Sequence, residues 1–312
     1  MESLMLAVSV VSPLLIYMLA GNLIRRKGWF SREQFQSLNG VIFKVFLPLK
    51  LFFDVYEADL GAAVQIEVFA FAVLAVLAVY LVTWFAVARS VKKKADAATL
   101  IQGIYRSNFV LFGNSIAFSM CDDAGIALVA AMAAVIVPLY NILSVILFES
   151  MRGEKAKLSE IVINILRNPL VEAGVLGICC NLLGLKLPEW LMAPFVHMGE
   201  IATPLALVTL GGMLSFGSIV KHKKYLMAAV AGRLAVVPAA VMSAAVCLGF
   251  SGQTLVVFLS IFAAPTAVAS APMAQSMGGN GALAGEIVVL TSAFSIITIF
   301  LLVFGLSGMG LI

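Results

Sequence analysis

Two stretches about 157 residues apart carry the side chains best suited to hold a small polar ligand, and both lie inside apolar runs. The first reads Ser107-Asn108-Phe109-Val110-Leu111-Phe112-Gly113-Asn114-Ser115, continues to Ser119-Met120 and turns at Cys121-Asp122-Asp123-Ala124-Gly125. The second reads Pro265-Thr266-Ala267-Val268-Ala269-Ser270-Ala271-Pro272, continues to Ser276-Met277 and turns at Gly278-Gly279-Asn280-Gly281. Pro265 and Pro272, with Thr266 and Ser270 between them, leave backbone carbonyls without helical partners, so an unwound segment is expected there. In the first stretch Gly113 supplies the flexibility, and Asn108, Asn114 and Ser115 can cap opened backbone. In lipid, such breaks are tolerated only where protein buries them or where they line a watery cavity.

The chemistry this allows is anion binding. A break splits a span into two half-helices, and the second half presents free N–H groups and a partial positive charge. Such an end attracts anions without a lysine. Two broken spans crossing in opposite directions bring two such ends together at mid-membrane. A small carboxylate would then meet backbone N–H groups, with Asn108, Asn114, Ser115, Thr266 and Ser270 adding side-chain bonds and Gly113, Pro265 and Pro272 shaping the backbone. Its apolar parts would touch Phe109, Phe112 and Met273. For each polar side chain the plainer alternative is an interhelical hydrogen bond.

Charges within spans are costly and point to function. Arg106, just before the first break, is placed to meet a substrate anion or an acidic neighbour such as Glu286. Glu286, Glu200 and Glu172 are candidate proton carriers. Arg233, deep in an apolar run, is with Arg106, Glu200 and Glu286 a candidate for charge or proton coupling, the plainer alternative being an ion pair or snorkelling; Lys44 and Lys50 pose the same question. Asp54 is expected to be solvated, and His197 is a lone histidine beside an apolar span.

The elements that must position these groups follow from composition. Hydrophobic residues make up 62% of the 312 and charged residues only 12%, which excludes a soluble globular domain. About ten apolar stretches approach spanning length: roughly 4–24, 36–56, 67–88, 98–120, 124–148, 168–186, 190–215, 224–248, 253–276 and 281–306. Fifteen of the 20 Lys and Arg fall in four alternate loops, at 25–32, 89–94, 152–167 and 221–224. These loops are therefore expected in the cytoplasm, with both termini extracytoplasmic. The net charge of +4 is accounted for by those loops and needs no nucleic-acid partner. The first apolar run is followed, not preceded, by its positive cluster, the wrong polarity for a cleaved signal. Cys121, Cys179, Cys180 and Cys247 have no metal-ligand spacing, and no cofactor is implied.

The fold class expected is all-α integral membrane, with ten transmembrane helices in two inverted five-helix repeats and broken helices four and nine crossing. Residues 1–150 form the first repeat, 151–165 a cytoplasmic linker and 166–312 the second. Pro48 in Phe46-Leu47-Pro48-Leu49 and Pro204 in Thr203-Pro204-Leu205 are expected at matching mid-helix positions of the two halves, and Pro138 as a kink.

The chain resembles the auxin efflux carrier family, whose bacterial members are small-acid permeases. Ser107-Asn108 through Phe112-Gly113 with Met120 looks like that family's fourth span, and Ala264-Pro265-Thr266 through Pro272 like its ninth. Arg167-Asn168-Pro169-Leu170, Leu187-Pro188 and Ala202-Thr203-Pro204-Leu205-Ala206-Leu207 into Leu210-Gly211-Gly212 look like its sixth and seventh. The resemblance covers essentially the whole chain. It implies a fold similar to sodium/bile-acid symporters, with spans one, two, six and seven as a scaffold and the rest as a moving transport unit, and for some relatives a homodimer through the scaffold. Ser107 and Ser115 stand where plant-like members often have Pro, and the long cytoplasmic loop of some plant members is absent.

The expected function is secondary transport of small organic anions such as malate- or malonate-like dicarboxylates across a bacterial cytoplasmic membrane, by elevator-type alternating access. A sodium-coupled bile-acid-type symporter would instead need clustered acidic and polar groups beside the crossing, for which Glu286 with Asn280 is the available pairing. A transporter-like sensor is a further alternative. An enzyme is not expected: Gly-x-Ser-x-Gly and His-Glu-x-x-His are absent, and the chain has two histidines.

Overall fold

A computed structural model describes residues 2–57, 65–152, 158–214 and 216–312; the side chains of Asn114 and Ser115 fall outside the description. The described chain is all-helical, 84% helix with no strand. In order the helices are α1 Glu2–Arg26, α2 Arg32–Val41, α3 Leu47–Tyr56, α4 Ile66–Ser90, α5 Lys94–Tyr105, α6 Phe109–Met120, α7 Asp123–Met151 and α8 Leu158–Leu166. There follow α9 Pro169–Leu182, α10 Glu189–Glu200, α11 Ala202–Met213, α12 Phe216–Ala231, α13 Val237–Cys247, α14 Gln253–Phe262, α15 Ser270–Ser276 and α16 Gly281–Gly308. Among the described residues five helical stretches are long and apolar enough to cross a membrane: Ile66–Ser90, Asp123–Met151, Glu189–Met213, Ile219–Cys247 and Gly281–Gly308. The proposed linker 151–165 falls partly on undescribed residues and partly on α8.

Local chemistry explains where helices begin. Ser31 accepts from the Gln34 N–H while the Gln34 side chain accepts from the Ser31 N–H, a reciprocal cap for α2. Asn168 caps α9, with Pro169 in the first turn where no donor is needed. Asp122 caps α7 through the Gly125 N–H at 3.0 Å. A hydrogen bond from Gln253, then this one, hold the Asp122 carboxyl below the usual carboxylate range.

The prolines occupy distinct settings. Pro48 and Pro238 each follow a π-helical turn, Ile42–Phe46 and Gly232–Val236, whose wider spacing absorbs the lost donor. Pro272 lies in the first turn of α15, where the missing N–H costs no intrahelical bond, whereas Pro204 lies inside the helical stretch Glu189–Met213 at the junction of α10 and α11. Pro48 and Pro204 thus both lie within longer helical runs, the first after a π-helical turn and the second inside the stretch Glu189–Met213. Pro138 lies within the continuous α7.

Two breaks separate consecutive helices: residues 106–108 between α5 and α6, and 263–269 between α14 and α15. The first break opens ahead of Gly113, and α6 runs through that glycine. Gly113 is needed for packing: a Cβ there would lie 2.7 Å from the Phe109 ring and 3.4 Å from Ser260 on α14. The breaks meet as an antiparallel bridge between Ser107 and Thr266. The Asn108 N–H donates to the Pro265 carbonyl at 2.7 Å, and the Ala267 N–H donates to the Arg106 carbonyl at 3.3 Å. The Thr266 hydroxyl donates to the Gly103 carbonyl at 2.6 Å, and its N–H donates to the Thr291 hydroxyl at 3.2 Å.

The carbonyls left open at the ends of α5 and α14 are answered by one side chain. Arg233, completely buried, emerges from the π-helical turn. Its Nε donates to Ala264 at 2.8 Å, one terminal nitrogen to Ile104 and Tyr105 at 3.2 Å each, and the other to Ile261 at 3.2 Å and to Phe262. Five carbonyls thus accept from one guanidinium, which also meets the Tyr140 side chain. The sequence suggests a coupling role for Arg233, or else an ion pair or snorkelling; its partners are instead backbone carbonyls at the negative ends of two helix dipoles.

Removing this cap orphans five carbonyls, each worth about 1–3 kcal/mol if left buried and unpaired. We predict that Arg233→Met abolishes a cooperative melt of the purified protein in detergent. Arg233→Lys, with three donors, should melt between that variant and wild type. A wild-type melt for Arg233→Met would refute the capping account.

Candidate functional site

A pocket of about 90 Å3 opens beside the crossing. One wall is the two breaks, Arg106 to Val110 and Ala267 to Ala269. Another is Tyr140 and Asn141 of α7. The remainder is Leu47, Lys50, Leu51 and Asp54 of α3, Leu170 of α9 and Thr203 of α11.

Arg106 is the decisive group. It is 5% exposed, yet no carboxylate lies within ion-pair distance among the described residues. Its guanidinium donates to the Asn141 side-chain oxygen at 2.6 Å, to the Met273 sulfur at 2.9 Å and to the Ser144 hydroxyl at 3.5 Å. Neutral acceptors hold it in place without offsetting its charge. Asn141 is itself anchored through its amide to the Val137 carbonyl at 3.1 Å. Lys50 and Asp54, one helical turn apart, pair at 3.0 Å and are partly exposed. The titratable side chains lining the pocket therefore leave one uncompensated positive charge, on Arg106.

The sequence-derived residues distribute unevenly around this pocket. Asn108 lines it, and its buried amide nitrogen has no hydrogen-bond partner. Thr266 is fully buried and its hydroxyl is committed to Gly103. Ser270 is buried at the start of α15, and its hydroxyl has no partner. Pro265 supplies the carbonyl that Asn108 N–H binds. Gly113 and Pro272 pack in α6 and α15, and the Asn114 and Ser115 side chains lie outside the described set.

Glu286 is not the partner of Arg106. It is 2% exposed and pairs with Nδ1 of His222 at 2.8 Å. Nor does it join Asn280, which donates to Asp96 at 2.8 Å while capping α16. Glu200 is not buried in the protomer: its side chain is 66% exposed and meets His197 at 3.2 Å. Asp54 is not simply solvated but lines the pocket. Asn141 and Tyr140 were missed; the available signal was an amide inside an otherwise apolar span.

A model of the family described as membrane transport protein, the auxin efflux carrier family, matches residues 6–303. The chain belongs to this family. No curated protein matches it. With five long apolar helical stretches, this family member is an integral membrane transport protein.

The two polar residues at the crossing should respond differently to truncation. Thr266→Val removes a buried bond between the breaks and should cost about 1–3 kcal/mol of stability. Asn108→Ala removes an amide nitrogen with no partner and should stay within about 0.5 kcal/mol of wild type. Thermal or denaturant unfolding in detergent decides; an equal loss for both would contradict the assigned bonding.

Proposed function

We propose that this membrane transport protein carries small organic anions, dicarboxylates among them, across the bilayer by alternating access, with the substrate carboxylate held at the crossing. The observation that carries this reading is Arg106, buried on the pocket wall without a carboxylate partner among the described residues. A cation in that position favours a mobile anion, because a buried charge left unpaired is costly. The free Asn108 amide gives the same carboxylate a second donor. The first turn of α6, which has no side-chain cap, adds N–H groups.

In this reading the helices compose ten crossings in two inverted repeats, with α5–α6 and α14–α15 as the equivalent broken pair. Their head-to-head bridge supports that equivalence. The scaffold is α1, α2–α3, α9 and α10–α11; the remainder moves. Contributions to the pocket from α3, α9 and α11 on one side and from both breaks and α7 on the other support a substrate held between scaffold and moving unit.

The test is binding and counterflow with a panel of mono- and dicarboxylates, using purified protein in detergent and in proteoliposomes. Asn108→Ala should weaken binding by roughly 10- to 150-fold, the equivalent of losing one hydrogen bond to a charged group. Asn108→Asp should be worse, because it sets a negative charge against the anion. Arg106→Gln should remove binding while the protein still melts cooperatively. Wild-type affinity in all three would place the site elsewhere.

The scaffold reading includes a homodimer. His197 and Glu200, 74% and 66% exposed, sit midway along the apolar stretch Glu189–Met213, where lipid contact would be costly. A second copy covering them removes that cost. Cysteine introduced at Phe195 or Ile201, both exposed, should cross-link between copies in membranes; monomers throughout would rule this out.

A further inference from the structure

We infer that the trough between α4 and α13 is the seat of a single anionic phospholipid. This rests on the membrane setting of the chain alone, not on what it transports. The trough encloses about 650 Å3, and Thr83 supplies the one hydroxyl on its walls. Small residues make the channel: Ala75, Ala78 and Ala86 on one wall, Gly232, Ala240 and Ala244 on the other. From Phe71 to Val87 the α4 wall runs about 24 Å. That is most of the roughly 30 Å depth of a bilayer's hydrocarbon core. Its long, narrow, apolar form suits an acyl chain.

The two ends of the trough differ, and the difference selects the occupant. At one end the rings of Phe71, Phe250 and Phe258 close on one another, with centroids 4.6–5.3 Å apart. At the other, α4 passes Val87 and reaches exposed Arg89, followed by exposed Lys92 and Lys93. Arg89 lies over the exposed Phe85 ring at 5.7 Å. A phospholipid with its phosphate among these basic groups and its tail toward the aromatic plug matches both ends. Lys93 already lies 3.9 Å from Asp96, so a neutral lipid would leave Arg89 and Lys92 unmatched.

Ile104 of α5 also lines the trough, packed against Gly232. The Ile104 carbonyl is one of those held by Arg233, the residue after Gly232. The lipid tail would therefore pack directly behind the side chain that holds the crossing together, and its occupancy should be visible as stability.

Native mass spectrometry tests this, using delipidated protein titrated with phosphatidylglycerol or with phosphatidylcholine of the same acyl chains. Wild type should retain one phosphatidylglycerol under activation that strips other lipids, and should melt at a higher temperature with it. Arg89→Gln and Lys92→Gln should each lower the preference for phosphatidylglycerol by about fivefold without abolishing phosphatidylcholine binding. Ala78→Phe with Ala240→Phe should fill the trough and lose the retained lipid; Ala240→Leu alone serves if the double variant does not fold. Equal lipid retention in wild type and filled variant overturns the inference. So does equal retention of the two lipids by wild type, or a dimer that disappears when the trough is filled.

Discussion

A helix that stops partway through a bilayer leaves as many as four carbonyls without partners, in a medium that offers no water to replace them. Here two helices, α5 and α14, stop facing each other. Their open ends are closed by the guanidinium of Arg233. The breaks at 106–108 and 263–269 exist only because that cap exists, and the pocket exists only because of the breaks. The antiparallel bridge between Ser107 and Thr266 then fixes the two loops against each other, as a sheet fixes strands.

The cap also sorts the electrostatics. Each helix C-terminus carries about half a negative charge, so two of them roughly match one guanidinium. Arg233 is thereby used up by the backbone. Arg106, only a few residues from the same crossing, meets the neutral acceptors Asn141, Met273 and Ser144, which orient it and leave its charge unmatched. Two buried arginines near one crossing thus have different roles, decided by whether their neighbours carry negative charge. Lys50, already paired with Asp54, adds a local dipole to the pocket.

The outside of the protein obeys the same solvent. Small residues bring helices together where backbones must touch: a Cβ at Gly21 would lie 1.8 Å from the Val208 carbonyl oxygen, and one at Gly211 1.9 Å from that of Met18, so α1 and α11 meet backbone to backbone. Where small residues on α4 and α13 do not meet, they leave a trough. The same residue types therefore make a seam in one place and a channel in another.

Much was legible in the chain itself. Apolar runs of near-spanning length required a helical membrane protein, because a spanning helix pairs all its backbone groups within one segment. The paired polar stretches located both breaks to within a few residues, since proline and clustered small polar residues mark backbone that cannot stay helical. They did not reveal that α6 runs unbroken through Gly113, because a glycine that loosens a helix and one that lets a ring pack close read alike. Nor did they reveal the partners. Arg106 and Glu286 are 180 positions apart in the sequence, and nothing in spacing distinguishes a pair from two strangers. Only the packing of α12 beside α16 gives Glu286 to His222, and only the turn at Gly232–Val236 aims Arg233 at the broken ends. Residue type sets what each group needs; tertiary structure decides which neighbour meets that need, because pairing depends on distance in space and not along the chain.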